Sequence, residues 1–299
     1  MEEKALRLSA VFLMILTAVS FVLLPKLPAL HTWEVEAREE RIAEEEFAQS
    51  QVTMQNLKIK EQNEAAGAKG ELSIRLPEGV TGDQIAVSND YVTQTIRVEI
   101  PQADRTYFDS YPVLGNSDYI DGLSYTRQGE MGVIEVTTNK VYELQTEYDA
   151  QNFYFNFLTP HEVYDKVVVI DAGHGGRAVG ANKQGINEKD IDLAIVLKLK
   201  EIFDNSDQNI GVYYTRTDDS NPTFDQRVQL ANKSDADLFI SIHNNSTRSG
   251  RMSGTSGTQV MYDETSEASR QFAQICLEEV TGRIGSRDKG LVEGDSIYI

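Results

Sequence analysis

The sequence predicts an α/β fold class: a helix-flanked, mainly parallel twisted sheet, preceded by a small all-β sandwich-like module and an N-terminal membrane helix. Three observations carry that reading. The run Val167-Val168-Val169-Ile170 is β-branched throughout, as a strand buried on both faces requires, and it stops at the glycine-rich turn Gly173-His174-Gly175-Gly176. Beyond it, strand-like runs alternate with helical periodicity, the pattern of a sheet covered by helices. Before it, apolar residues recur at every second position, and a single long apolar run stands near the amino terminus.

Taken in order, Leu8 to Leu24 is almost wholly apolar and follows Lys4 and Arg7. It is close to the shortest length that spans a bilayer, so residues 1–30 are expected to form an uncleaved signal anchor, with a cleaved signal peptide as the rival. The basic residues before it and the acidic stretch after it place the rest of the chain outside the cytoplasm. Residues 31–69 are rich in Glu, Ala, Gln and Lys, and Val35, Ile42, Phe47, Val52, Leu57 and Ile59 keep no heptad. They read as an acidic helical stalk or linker, with a stalk-mediated dimer as the less favoured alternative. The net charge of −19 argues against general nucleic-acid binding, which needs a basic face. The single cysteine, Cys276, excludes an intramolecular disulfide, and its place in the stripe Phe272, Cys276, Val280 makes it a buried small hydrophobe.

Residues 70–160 read as the β-sandwich-like module. Leu72, Ile74 and Leu76 alternate with polar neighbours, as do Ile96, Val98 and Ile100, and Phe153, Phe155 and Phe157. No cluster of histidine, cysteine or paired carboxylates there asks for chemistry. Tyr107, Tyr111, Tyr119 and Tyr125 suit a glycan-stacking surface or, more simply, ordinary sheet aromatics.

Residues 161–299 carry the chemistry. Leu238-Phe239-Ile240-Ser241-Ile242 is a second strand that ends on a histidine, His243. Ligands of open α/β sheets bind where loops leave the carboxyl ends of strands, so His174 and His243 can meet in one crevice. Glu188 stands in a polar turn before the helical pattern Ile191, Ala194, Ile195, Leu199, Ile202 and can reach the same place. Two imidazoles and a carboxylate are a usual protein set for a catalytic zinc, which keeps a further position open for water.

The motifs Asp171-Ala172-Gly173-His174-Gly175-Gly176, Asn187-Glu188-Lys189-Asp190, Thr215-Arg216, Arg227 with Ala231-Asn232, and Ser241-Ile242-His243-Asn244-Asn245 together resemble the zinc-dependent N-acetylmuramoyl-L-alanine amidases of the bacterial cell wall. The resemblance covers roughly Lys166 to Ile299, in order and in spacing. It implies one Zn²⁺ held by His174, Glu188 and His243, and peptidoglycan as substrate. Asp171 is then expected either to orient a ligand ring or to cap the turn backbone. Arg216 and Arg227 are expected to contact substrate carboxylates or to pair with Asp218 or Asp225. Asn244 and Asn245 are expected to touch substrate or to cap their loop.

The chain departs from the family's pattern in two places. Ala178 stands where the family usually has an acidic residue, and the family's catalytic glutamate is expected beyond Ile299, in a strand following Gly294-Asp295-Ser296-Ile297. The loop between His243 and Val260 is too short for the blocking helix of regulated members, which predicts an open site. The amino-terminal run and the resemblance together make the chain a membrane-anchored, extracytoplasmic hydrolase, with a protein activator as a possible partner. Two alternatives stand beside it: a peptidoglycan-binding scaffold that does not turn over, and a zinc peptidase acting on stem peptides.

Overall fold

The computed structural model of the chain describes residues 12–19, 28–51, 54–61, 69–244, 254 and 256–294. They divide into two compact units. One holds the described residues up to Ser50 with Lys166–Asn232 and those from Ala236 onward, and the other holds Gln51–Asp165 with Lys233–Asp235.

The first unit is a mixed α/β layer. The strands of its main sheet are β1 (Phe12–Val19), β2 (Lys166–Ala172), β3 (Ile210–Tyr214), β4 (Leu238–His243), β5 (Ser256–Tyr262) and β6 (Asp288–Glu293). Its helices are α1 (Pro28–Ser50), α2 (Glu188–Asp204), α3 (Phe224–Lys233) and α4 (Glu267–Ile284). The strand order is β3-β2-β4-β1-β5-β6. Strands β1 to β4 run parallel, whereas β5 lies antiparallel to β1 and β6 follows the direction of β5.

The β-branched run of β2 has its predicted place. Val167, Val169 and Ile170 are all buried, with β3 on one side and β4 on the other. Val196, Ile195 and Leu199 of α2 cover one face of this sheet against Ile170, Ala172 and Ile242. On α4, Ala273 and Leu277 pack with Phe272 and the half-buried Cys276 against Val260 and Tyr262 of β5. Burial pushes the Cys276 thiol up to about 11, which keeps it an unreactive apolar filler.

Two expectations for the amino-terminal part are corrected. Phe12–Val19, the centre of the expected membrane helix, is a strand between β4 and β5, while residues 1–11 and 20–27 of that span lie outside the described residues. Among the described residues no helix is long and apolar enough to cross a membrane. An apolar run satisfies a lipid-spanning helix and a strand buried on both sheet faces alike, so its composition cannot separate the two. The acidic segment is helical over Pro28–Ser50, yet it is not a free stalk. Ala43 is buried, and Glu39, Glu40, Ile42 and Glu46 are half-buried on the same side, so α1 docks along one face.

In the second unit two five-stranded sheets share one apolar core. The first has the order Glu143–Tyr148, Asn152–Leu158, Leu72–Arg75, Leu114–Gly115, Lys60–Glu61, and the second Gln55–Asn56, Ile120–Gln128, Met131–Thr138, Thr95–Pro101, Ala86–Asp90. The alternating residues point as their period requires: Leu72, Ile74, Phe153 and Phe155 meet Ile96, Val98, Ile134 and Val136. The unit starts before residue 70, because short strands at 55–56 and 60–61 join the two sheets. The tyrosines do not form a common stacking surface. Tyr125 is buried, Tyr119 packs on Tyr142 and Phe157, and of the four only Tyr111 is exposed.

Phe155 is fully buried at the centre of this core. Phe155→Ala is expected to lower the stability of this unit by about 3–5 kcal/mol, through lost transfer energy and the cavity left behind, measured by urea denaturation.

Candidate metal centre

The turn after β2 is shaped by what lies over it. A Cβ on Gly173 would stand 2.4 Å from Cε1 of His243, so only glycine lets that ring cross the strand end. His174 itself has φ 58, a left-handed conformation that non-glycine residues rarely adopt and that the surroundings must hold. They do so from two directions: Gly173 N donates to Ile242 O at 3.0 Å, and Arg227 Nη2 donates to His174 O at 2.9 Å. Glu188 opens α2, and His243 closes β4.

These three elements bring three donor atoms together. His174 Nε2 lies 3.3 Å from Glu188 Oε1, His243 Nδ1 lies 3.4 Å from the same oxygen, and the two ring nitrogens are 3.2 Å apart. Four-coordinate zinc with nitrogen and oxygen ligands at about 2.0–2.1 Å sets its ligands roughly 3.3–3.4 Å from one another, so the triangle has the dimensions of one face of that tetrahedron. Glu188 is held in place on both oxygens: Ala181 N donates to Oε2 at 2.8 Å and Asn244 N to Oε1 at 2.7 Å.

The charge balance follows from burial and pairing. Burial opposes ionisation of Glu188, but the two imidazoles facing it hold its carboxyl well below the usual carboxylate range. Burial likewise opposes charging of His174, yet Glu188 on one ring nitrogen and Glu39 on the other carry it up to about 10. A divalent ion entering such a site displaces a proton, because the ligating imidazole must be neutral. Asp192, one helical turn after Glu188, completes a group of four potential ligands whose donor atoms all lie within 4.8 Å of one another. Burial and then the neighbouring Glu188 push Asp192 up to about 8. Its Oδ1 accepts from Asn244 Nδ2 at 2.7 Å, while Oδ2 is buried with no hydrogen-bond partner.

Residues 168–299 match the family model described as N-acetylmuramoyl-L-alanine amidase. The catalytic domain of the amidase CwlV from Bacillus (Paenibacillus) polymyxa var. colistinus is 36% identical, with 44% of this chain and 70% of that domain covered and a TM-score of 0.39. Residues 168–299 thus carry the sequence of that amidase family, over less than half of the chain. An uncharacterized protein of Bacillus subtilis, YqiI, is 38% identical over 140 residues, covering 45% of this chain and 63% of that protein. The N-acetylmuramoyl-L-alanine amidase CwlM of Bacillus licheniformis is 33% identical over 123 residues, covering 41% of this chain and 47% of that protein. The chain thus spans about half to two thirds of the length of these curated relatives.

Around the donor triangle of this amidase region the structure reassigns several residues. Asp171 neither orients a ligand ring nor caps the turn. It is buried, its Oδ1 accepts from Thr215 Oγ1 at 2.6 Å and from Arg227, and its Oδ2 accepts from Ser241 Oγ at 2.6 Å. Arg227 therefore pairs with Asp171 rather than with Asp225 or a substrate. Arg216 is also buried and, among the described residues, forms no ion pair with a carboxylate. It donates to the backbone oxygens of Ala172, Gly173, Lys189 and Asp218. Both arginines looked like anion binders because sequence shows a charge but not that the charge is enclosed by carbonyl groups.

Asn244 does stand at the site, where it orients Glu188 and Asp192, and Asn245 lies outside the described residues. Asp192 went unnoticed in the sequence, although its spacing of four from Glu188 places both carboxyls on one helical face. The site is also not open on every side. From α1, Glu39 Oε2 lies 3.0 Å from His174 Nδ1, and Glu46 accepts from Arg177 N, Arg177 Nε and Asn221 Nδ2, each at 3.0 Å. Among the described residues the covering element comes from 135 residues upstream of His174.

Two outcomes are expected. Asp171→Asn is expected to destabilise this unit by about 3–5 kcal/mol in thermal or urea unfolding, because it leaves Arg227 as an uncompensated buried charge. Asp192→Asn is expected to act in a pH-dependent way on the zinc-free protein. Its pKa is raised on folding from near 3.8 to about 8, so Asp192 favours folding below about pH 4, and that contribution is lost as pH rises through about 8. The asparagine variant is therefore expected to match the parent in acid and to exceed it in melting temperature above about pH 8.

Proposed function

We propose that this chain is a zinc-dependent hydrolase that cleaves the amide between N-acetylmuramic acid and L-alanine in peptidoglycan. The observation that carries the reading is the triangle of His174 Nε2, Glu188 Oε1 and His243 Nδ1, which fits a zinc ion in a region of amidase sequence. When bound there, zinc supplies a Lewis acid for an amide carbonyl and lowers the pKa of water to near neutrality.

The chain's own groups prepare that chemistry. Asn244 N and Ala181 N fix both oxygens of Glu188, so the carboxylate cannot rotate away from the imidazoles. Asp192, raised to about 8 by burial and the neighbouring Glu188, accepts from Asn244 through Oδ1. It is the one carboxyl group besides Glu188 in the donor cluster among the described residues. Glu293 is elsewhere, accepting from Tyr262 Oη at 3.3 Å beside β5, and the glutamate that the resemblance implies beyond Ile299 is not among the described residues. Because peptidoglycan lies outside the membrane, the reading also makes the protein extracytoplasmic.

The test has two parts. Zinc content measured by elemental analysis is expected to be one ion per chain, and His174→Ala and Glu188→Ala are each expected to lose it. On purified peptidoglycan, the proposed reaction frees the amino group of L-alanine and leaves intact muramic acid. Release of amino groups from other stem-peptide positions would point to a peptidase, and binding to sacculi with no released product would point to a scaffold.

A further inference from the structure

We infer that Glu39 is a positioning residue for the metal ligand His174, supplied by α1 from outside the region that matches the amidase family. This rests on the metal-centre reading above. Of the two nitrogens of His174, Nε2 belongs to the donor triangle, which leaves Nδ1 facing outward. Glu39 Oε2 lies 3.0 Å from that nitrogen, with the His174 side chain 12% and the Glu39 side chain 18% exposed. A carboxylate there takes the Nδ1 proton as a hydrogen bond, which leaves the lone pair on Nε2, sets the plane of the ring and raises its basicity toward a metal.

His174 needs such a partner. It lies beyond the end of β2 in a left-handed backbone conformation, so no strand pairing fixes the direction of its ring. Ala178, in the same turn, offers only a buried methyl group. The carboxylate of Glu39, in contrast, arrives on a helix whose register is fixed at neighbouring positions. Glu40 Oε2 accepts from Phe224 N at 2.7 Å, at the start of α3, Ala43 is buried, and Glu46 is bonded to Arg177 and Asn221. Positions 39, 43 and 46 follow the i, i+4, i+7 spacing of one helical face, so these contacts aim Glu39 at the ring.

The experiment compares the full chain with Glu39→Ala, Glu39→Gln and Glu46→Ala. Zinc affinity is measured by competition with a chromophoric chelator, and the imidazole N–H resonance of His174 is followed by NMR in the zinc-loaded protein. Glu39→Ala is expected to weaken zinc binding about 10–100-fold and to shift that resonance upfield. Glu39→Gln keeps the size and one acceptor oxygen, so it is expected to recover part of the loss even if alanine disturbs folding. Glu46→Ala, which loosens α1 without touching His174, is expected to have the smaller effect.

Unchanged affinity in both Glu39 variants would overturn the inference, and unchanged affinity with faster turnover would show instead that α1 obstructs the site. An equal loss in Glu46→Ala would also overturn it, since helix docking rather than the carboxylate would then matter. A parent chain that takes up no zinc would remove the metal-centre reading itself and the role of Glu39 with it.

Discussion

The arrangement depends first on one buried ion pair, Asp171 with Arg227. Burial alone would keep the Asp171 carboxyl neutral. The Arg227 guanidinium, with the hydroxyls of Ser241 and Thr215, holds it instead at about 2. Asp171 itself lies in β2, and those partners come from the residue after β3, from β4 and from α3, so a single carboxylate ties β2 to three other places in the chain at the ligand-binding edge of the sheet. Arg227 then reaches onward to the carbonyl oxygens of Ala172 and His174. The left-handed His174 is thus held by the same guanidinium that neutralises Asp171, which couples integrity of the core to geometry of the site.

A second layer of enclosed cations shapes the glycine-rich turn. Arg216 spends its donors on four backbone oxygens, and Lys189 Nζ bonds both Gly176 O and the Asp219 carboxylate. Buried charges persist only where their donors find acceptors, and here two of the acceptors, Gly173 O and Gly176 O, are carbonyls of the turn itself. The turn is thus bonded by side-chain donors without being a helix or a strand. Around it three side chains from separate elements converge to within 3.4 Å.

The helix α1 adds carboxylates to a region that is already well bonded. Its three inward glutamates each meet a group of the site or its loops: a ring nitrogen, a helix-start amide, and an arginine with its neighbouring backbone. An acidic composition that looks like a solvated face can therefore serve as a docking face, provided that the opposite surface presents unpaired donors. The net charge of −19 carries no information about which glutamates are used in this way.

Much of this was legible in the sequence, and the division is physical. Period-two alternation is a local property, so the apolar positions of the sandwich unit and the buried run of β2 could be read directly, as could the three donors at strand and helix ends. The amidase resemblance added the expectation that those donors share one ion. What remained hidden were properties that depend on who the neighbours are. Asp171, Arg216 and Arg227 show charge in the sequence, but whether that charge meets solvent, substrate or a buried partner is decided only when distant strands assemble. The apolar run containing Phe12–Val19 fits a bilayer and a sheet centre equally, and tertiary pairing selects the strand. Glu39 looks like any other glutamate of an acidic helix. Its place beside His174 comes from a docking angle between residues 135 positions apart, which no local pattern encodes.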